Sequence, residues 1–104
     1  MPLRSPDPQV KAVPRIQLFV PGPLRVYCGG DSQVSLEAAS VSGALQQIEH
    51  RVPALYRCIC DETGDVRRHL NVFVNADNIR DLDGVATMLC EGDELIVLPA
   101  VSGG

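Results

Sequence analysis

Ser40-Val41-Ser42-Gly43-Ala44-Leu45-Gln46-Gln47-Ile48-Glu49-His50-Arg51-Val52-Pro53 is the stretch on which the fold of this chain turns. Val41, Ala44, Leu45, Ile48 and Val52 recur at i, i+3, i+4, i+7 and i+11, which places them on one helical face. Gln46, Gln47, Glu49, His50 and Arg51 fall on the other face. Ser40 supplies an N-cap oxygen. Pro53 ends this helix and is suited to begin a second, short one over Ala54–Asp61.

Strand patterns flank this helix on both sides. Upstream, Arg15–Val20 reads as a first strand closed by Pro21-Gly22-Pro23, and Gln33–Glu37 alternates polar and apolar as a half-buried second strand. Between them, Leu24–Asp31 fits either a hairpin extension or a wide loop, and Gly29-Gly30 breaks it in both cases. Downstream, Glu62-Thr63-Gly64-Asp65 is a turn, Val66–Asn75 a third strand, and Asn75–Asn78 carries turn chemistry. Ile79-Arg80 is expected as a short fourth strand. A helical turn around Val85–Leu89 and the turn Glu91-Gly92-Asp93 then lead to a last strand, Glu94–Pro99.

The order β-β-α-β-β predicts an α+β fold: a mixed sheet with one main helix packed on one face. First and last strands pair in parallel at its centre, with the C-terminal arm leaving from the sheet's edge. This is the β-grasp, or ubiquitin-like, architecture. Residues 15–99 form the domain. Residues 1–14, holding four of the eight prolines, read as a disordered extension, and 100–104 as a flexible Gly-Gly tail.

Composition excludes several roles. The 104 residues suffice for one domain. A net charge of −4 and four aromatic residues give no positive field and few stacking platforms for nucleic acid. No apolar run approaches the ~20 residues of a bilayer span, and the N-terminus lacks a secretory pattern, so no membrane association and a cytoplasmic location are expected. Cys58 and Cys60 are spaced C-x-C while Cys28 and Cys90 stand alone, which matches neither a zinc motif nor a disulfide framework. The four are read as reduced small hydrophobes, no metal is expected, and His50 and His69 are read as surface or half-buried residues. The single lysine, Lys11, lies in the extension, which disfavours a polymerising, isopeptide-linked signal.

Val101-Ser102-Gly103-Gly104 carries the chemistry. Glycine has no Cβ, so such an arm threads channels closed to other residues and adopts backbone angles they avoid. It looks like a substrate for another protein's active site. In the last strand Leu95 and Val97 point to one face, Ile96 and Leu98 to the other. With the first pair under the helix, Ile96 and Leu98 are left on the opposite face, either as an exposed apolar docking patch or under the chain's own loops. Phe73, out of phase with Leu70, Val72 and Val74, joins it.

These residues resemble the MoaD/ThiS family of ubiquitin-like sulfur carriers over Arg15–Gly104. The resemblance is carried by Glu91-Gly92-Asp93-Glu94-Leu95-Ile96-Val97-Leu98-Pro99-Ala100-Val101-Ser102-Gly103-Gly104 and by the helix start Ser40–Leu45. Gly64–Asn75 followed by Ile79-Arg80 is most similar to the CysO-type branch. The N-terminal arm and Leu24–Gly30 depart from the family pattern.

The resemblance implies a non-catalytic carrier on which partner enzymes act. An E1-like enzyme would adenylate the Gly104 carboxylate from ATP, and sulfur would displace AMP to leave a thiocarboxylate. Gly103 provides the slender approach, and Pro99, Val101 and Ser102 join Ile96, Leu98 and Phe73 in partner binding. Expected partners are that enzyme, a sulfur-accepting synthase such as a pyridoxal-phosphate-dependent cysteine synthase, and a metalloprotease releasing product from the tail. Relatives of the branch also supply siderophores, other secondary metabolites or tRNA thiolation. Two other readings stay open: a small subunit of a molybdopterin-synthase-like sulfurtransferase, and a ubiquitin-like interaction module without chemistry.

Overall fold

Alternation in Gln33–Glu37 turns Val34 and Leu36 inward and Gln33, Ser35 and Glu37 outward, and the same period of two runs through every long strand of the chain. The computed structural model describes residues 13–100. The expected extension, apart from its last two residues, and positions 101–104 of the tail lie outside the described residues. The elements are β1 (Arg15–Phe19), β2 (Gln33–Glu37), α1 (Val41–Arg51), α2 (Pro53–Ile59), β3 (Leu70–Val74), β4 (Asp77–Asn78) and β5 (Glu94–Pro99).

The five strands form one sheet in the order β2-β1-β5-β3-β4. β1 pairs with β5 in parallel, while the β1–β2, β3–β5 and β3–β4 pairs are antiparallel. This is the expected mixed sheet of the β-grasp fold. β5 occupies its middle, so the chain leaves from the end of the central strand and not from a lateral edge.

The core lies between the sheet and α1. Ile16, Leu18, Val34, Leu36, Leu70, Val72, Val74, Leu95 and Val97 meet Val41, Ala44, Leu45 and Ile48 of α1, with Leu55 and Ile59 of α2 closing one side. Ser40 caps α1 as expected, its Oγ accepting from Gly43 N at 3.1 Å. Pro53 opens α2.

Four expectations need correction. Leu24–Gly30 is neither hairpin nor open loop: Gly22–Cys28 winds into 3-10 turns capped by Gly29 at φ 73°, a left-handed conformation suited to glycine. The third strand begins at Leu70 and not at Val66. Val66 makes only an isolated bridge with Cys60, and the Arg67 guanidinium donates to Arg57 O of α2 at 2.9 Å, which holds this segment off the sheet. The fourth strand is Asp77–Asn78 and not Ile79-Arg80. The tight turn at Asn75-Ala76 puts residues 77 and 78 opposite Val74 and Phe73, after which the chain turns to bury Ile79. Asn78 caps the resulting 3-10 turn, Ile79–Asp81, by accepting from Arg80 N at 2.9 Å. The later helical turn spans Gly84–Ala86, earlier than Val85–Leu89, because Leu89 is drawn into the core and its N–H bonds to Ala39 O at 2.9 Å.

The outer edge of β2 is closed by side chains of α1. Gln47 takes both edge groups of Glu37, accepting from its N at 2.9 Å and donating to its O at 2.7 Å. Arg51 Nη1 donates to Ser35 O at 2.8 Å.

Candidate functional site

Because α1 covers one side of the sheet, the odd-numbered residues of β1 and β3 and the even-numbered residues of β5 turn to the uncovered side. Phe19 is the register partner of Ile96 across the parallel ladder, and Phe73 is its partner across the antiparallel one. Three apolar side chains therefore line up across three strands, a cross-strand arrangement that favours mutual packing. One step along β5, Leu98 lies opposite Asn71 and is 44% exposed. Ile96 and Phe73 are half-buried and Phe19 likewise, so the row is partly self-sheltered and Leu98 is its most open member. Among the described residues, no loop segment is hydrogen-bonded across this row.

Pro99 is exposed and pairs with Leu70, and Ala100 N donates to His69 O at 2.8 Å. The ladder thus holds the chain extended up to the last described residue, and everything beyond starts from the middle of the sheet. Val101, Ser102, Gly103 and Gly104, the expected reactive end and its approach, lie outside the described residues. Of the expected site, the fold brings together Ile96, Leu98, Phe73 and Pro99. Phe19 escaped the sequence reading. Its signal was present, since the alternation that buries Ile16, Leu18 and Val20 leaves Phe19 facing out, as Phe73 does from β3.

No cysteine belongs to this row. Burial pushes the Cys60 thiol up to about 11, against a smaller opposing contribution from its Tyr56 hydrogen bond. Burial, followed by the Asp31 charge, raises that of Cys28. All four cysteines are free; Cys60 is buried, Cys28 and Cys58 half-buried, and Cys90 exposed, so the small-hydrophobe reading fails for Cys90. The described residues contain no group of three or more His, Cys, Asp or Glu side chains placed to hold a metal ion. No helix among them is long and apolar enough to cross a membrane.

The described residues present the extended end of β5 and an apolar row beside it. The ThiS family model matches residues 18–104. The sulfur carrier protein CysO of Mycobacterium tuberculosis is 29% identical over 91 residues, covering 86% of this chain and 98% of its own length. The crystal structure of CysO from the same organism superposes with a TM-score of 0.77 at 27% identity, covering 83% of this chain and 99% of that one. A chain of the BexX/CysO complex from Amycolatopsis orientalis gives a TM-score of 0.74 at 31% identity, covering 86% of this chain and 99% of that one.

Proposed function

Because the chain belongs to the ThiS family, we propose that it is a sulfur carrier that holds sulfur as a thiocarboxylate on Gly104 and performs no catalysis itself. The observation carrying this proposal is the reach of the family match, which continues through Gly103-Gly104. The carrier relatives are matched over nearly their whole length, which supports the same reading.

The chemistry is that of acyl activation. A carboxylate resists attack by a sulfur nucleophile because its carbonyl carbon is electron-rich and oxide is a poor leaving group. An E1-like partner joins the Gly104 carboxylate to the α-phosphate of ATP and releases pyrophosphate. Hydrosulfide then attacks the acyl carbon and AMP departs, leaving the thiocarboxylate. Delivery of its sulfur to an acceptor on a synthase, in the biosynthesis of cysteine or of another sulfur-containing metabolite, completes the cycle.

This chain's contribution is reach and docking. Residues 101–104, when extended, reach about 14 Å past Ala100 at ~3.3–3.6 Å each. Ordering them costs on the order of 1–2 kcal/mol per residue, and two glycines return little contact area. Binding of the body must offset that cost. The row Phe19, Ile96, Phe73 and the neighbouring Leu98 are the side chains suited to it, with Pro99, Val101 and Ser102 lining the approach.

The test is intact mass after incubation with an E1-like enzyme, ATP and sulfide. The expected product is heavier by the difference between one sulfur and one oxygen, and a chain extended by one residue past Gly104 stays unchanged. An unaltered mass in the unextended chain, or equal conversion of the extended one, overturns the proposal.

A further inference from the structure

We propose that Val26 and Tyr27, displayed by the 3-10 turns Gly22–Cys28, are a second apolar contact for the activating enzyme that encloses the tail, and that its channel mouth carries an apolar shelf to receive them. The inference rests on the carrier reading above and adds to it a specificity-determining surface outside the sheet.

The strand ladders decide where these turns lie. β1 and β5 run in parallel with Phe19 opposite Ile96, so the β1–β2 connection leaves the sheet at the same end as the tail. It cannot continue as a strand beside β5. Gln17 N donates to Asp93 O, and the repeat of two residues then requires an N–H at residue 21 for Val97 O. Pro21 has none. The β1–β5 ladder accordingly stops at Ile96, whereas β3 accompanies β5 to Pro99. Leu98 and Pro99, both exposed, have a strand neighbour on the β3 side only. The flank left without a strand is the one on which the 3-10 turns stand.

Those turns are a firm mount. Leu24 and Cys28 pack against the core. Leu24 N donates to Pro21 O at 2.9 Å, Gly30 N to Arg25 O at 2.7 Å and Val20 N to Ser32 O at 2.8 Å. Arg25 Nε adds a bond to Val20 O at 3.0 Å. Between the anchors Leu24 and Cys28, Val26 is 75% exposed and Tyr27 44%. Singly exposed apolar residues are common, but these two are adjacent and held on an ordered backbone. Their backbone is fixed in advance, so less freedom is lost when a partner covers them. Arg25 and Asp31, both exposed, flank the pair in sequence and supply the polar rim that surrounds a buried contact.

The length of the tail says what covers them. With Gly104 as the reacting end, the four residues past Ala100 span at most about 14 Å, so the body of the enzyme comes within that distance of the end of β5. Neighbouring strands lie only about 4.8 Å apart. β1 adjoins β5, so a protein that surrounds the tail meets the β1–β2 connection as well.

The experiment is ATP–pyrophosphate exchange catalysed by the E1-like enzyme, with the full-length carrier as varied substrate. Tyr27→Ala should raise the KM for the carrier about tenfold and Val26→Ser about threefold, with kcat, the KM for ATP and the melting temperature unchanged. Both rises should persist near 1 M salt, where the screening length is roughly 3 Å, because the contact is apolar. Met88→Ser is the control. Met88 is 68% exposed, but it bridges Ser40, just past the end of β2 that adjoins the start of β1, and its replacement should leave KM unaltered. Should Tyr27→Ala lower the melting temperature, the Val26→Ser value alone decides. An unchanged KM in both variants, rises that vanish in salt, or an equal rise for Met88→Ser overturns the contact. Exchange absent from the unsubstituted chain is a different failure and overturns the carrier reading as well.

Discussion

Asn75 joins three parts of the molecule from one position. Its backbone adopts φ 56°, the one non-glycine residue with a positive φ among those described, which lets the chain reverse from β3 to β4. Its side chain donates to Asp93 Oδ1 at 3.1 Å and accepts from Glu94 N at 3.0 Å, while its own N–H bonds to Glu94 O at 2.8 Å. The hairpin is thereby fastened to the start of the central strand. Asn75→Ala keeps the backbone bond, loses both side-chain bonds and places a Cβ residue without local compensation in the left-handed region. It should lower stability by about 2–3 kcal/mol in urea unfolding, and Asn75→Gly by less. A loss of similar size in both variants would show that backbone conformation contributes nothing.

At the scale of elements, the pairing of α1 with β2 does more than fill the core. Even-numbered residues of β2 bond to β1, as Ala38 N to Pro14 O shows, so the groups of Ser35 and Glu37 face outward. An open row of this kind is a template for another strand. Gln47 and Arg51 occupy it from the polar face of α1. The double variant Gln47→Ala/Arg51→Ala should therefore self-associate with rising concentration in analytical ultracentrifugation, more than the unsubstituted chain does. No difference between the two would mean that other features guard the edge.

Legibility followed the same scale. α1 could be read because Ser40, the apolar spacing and Pro53 all agree, and β2 because its alternation is strict. Leu24–Cys28 could not: its run of apolar and β-branched residues suits a strand, whereas its path is decided by packing of Leu24 and Cys28 against the core. Ile79 misled for the opposite reason. It is buried as a strand residue would be, but through a turn that leaves the sheet. Of the candidate face, Ile96, Leu98 and Phe73 followed from period alone. Phe19 was legible by the same period, since the alternation that buries Ile16, Leu18 and Val20 turns it outward and the expected pairing of first and last strands places it beside Ile96.

The whole molecule divides into a covered and an uncovered side of one five-stranded sheet. The side facing α1 holds the core, with Leu95 and Val97 each 1% exposed; the other side carries Leu98, 44% exposed. Substitutions in β5 should accordingly separate by parity. Leu95→Ala should cost about 2–5 kcal/mol of stability. Leu98→Ala should leave the melting temperature near its starting value and weaken binding to an E1-like partner, by about tenfold if it is a central contact. Equal thermal losses in the two variants would mean that the open face belongs to the core.

The position of β5 also decides how the body responds to tension. Tension applied at the tail would pull on a strand paired with β3 as far as Pro99 and with β1 over Glu94–Ile96, so the load would pass first to one ladder and then to two. A handle fixed to an outermost strand would unzip bond by bond. The tail is thus anchored to the central strand of the sheet.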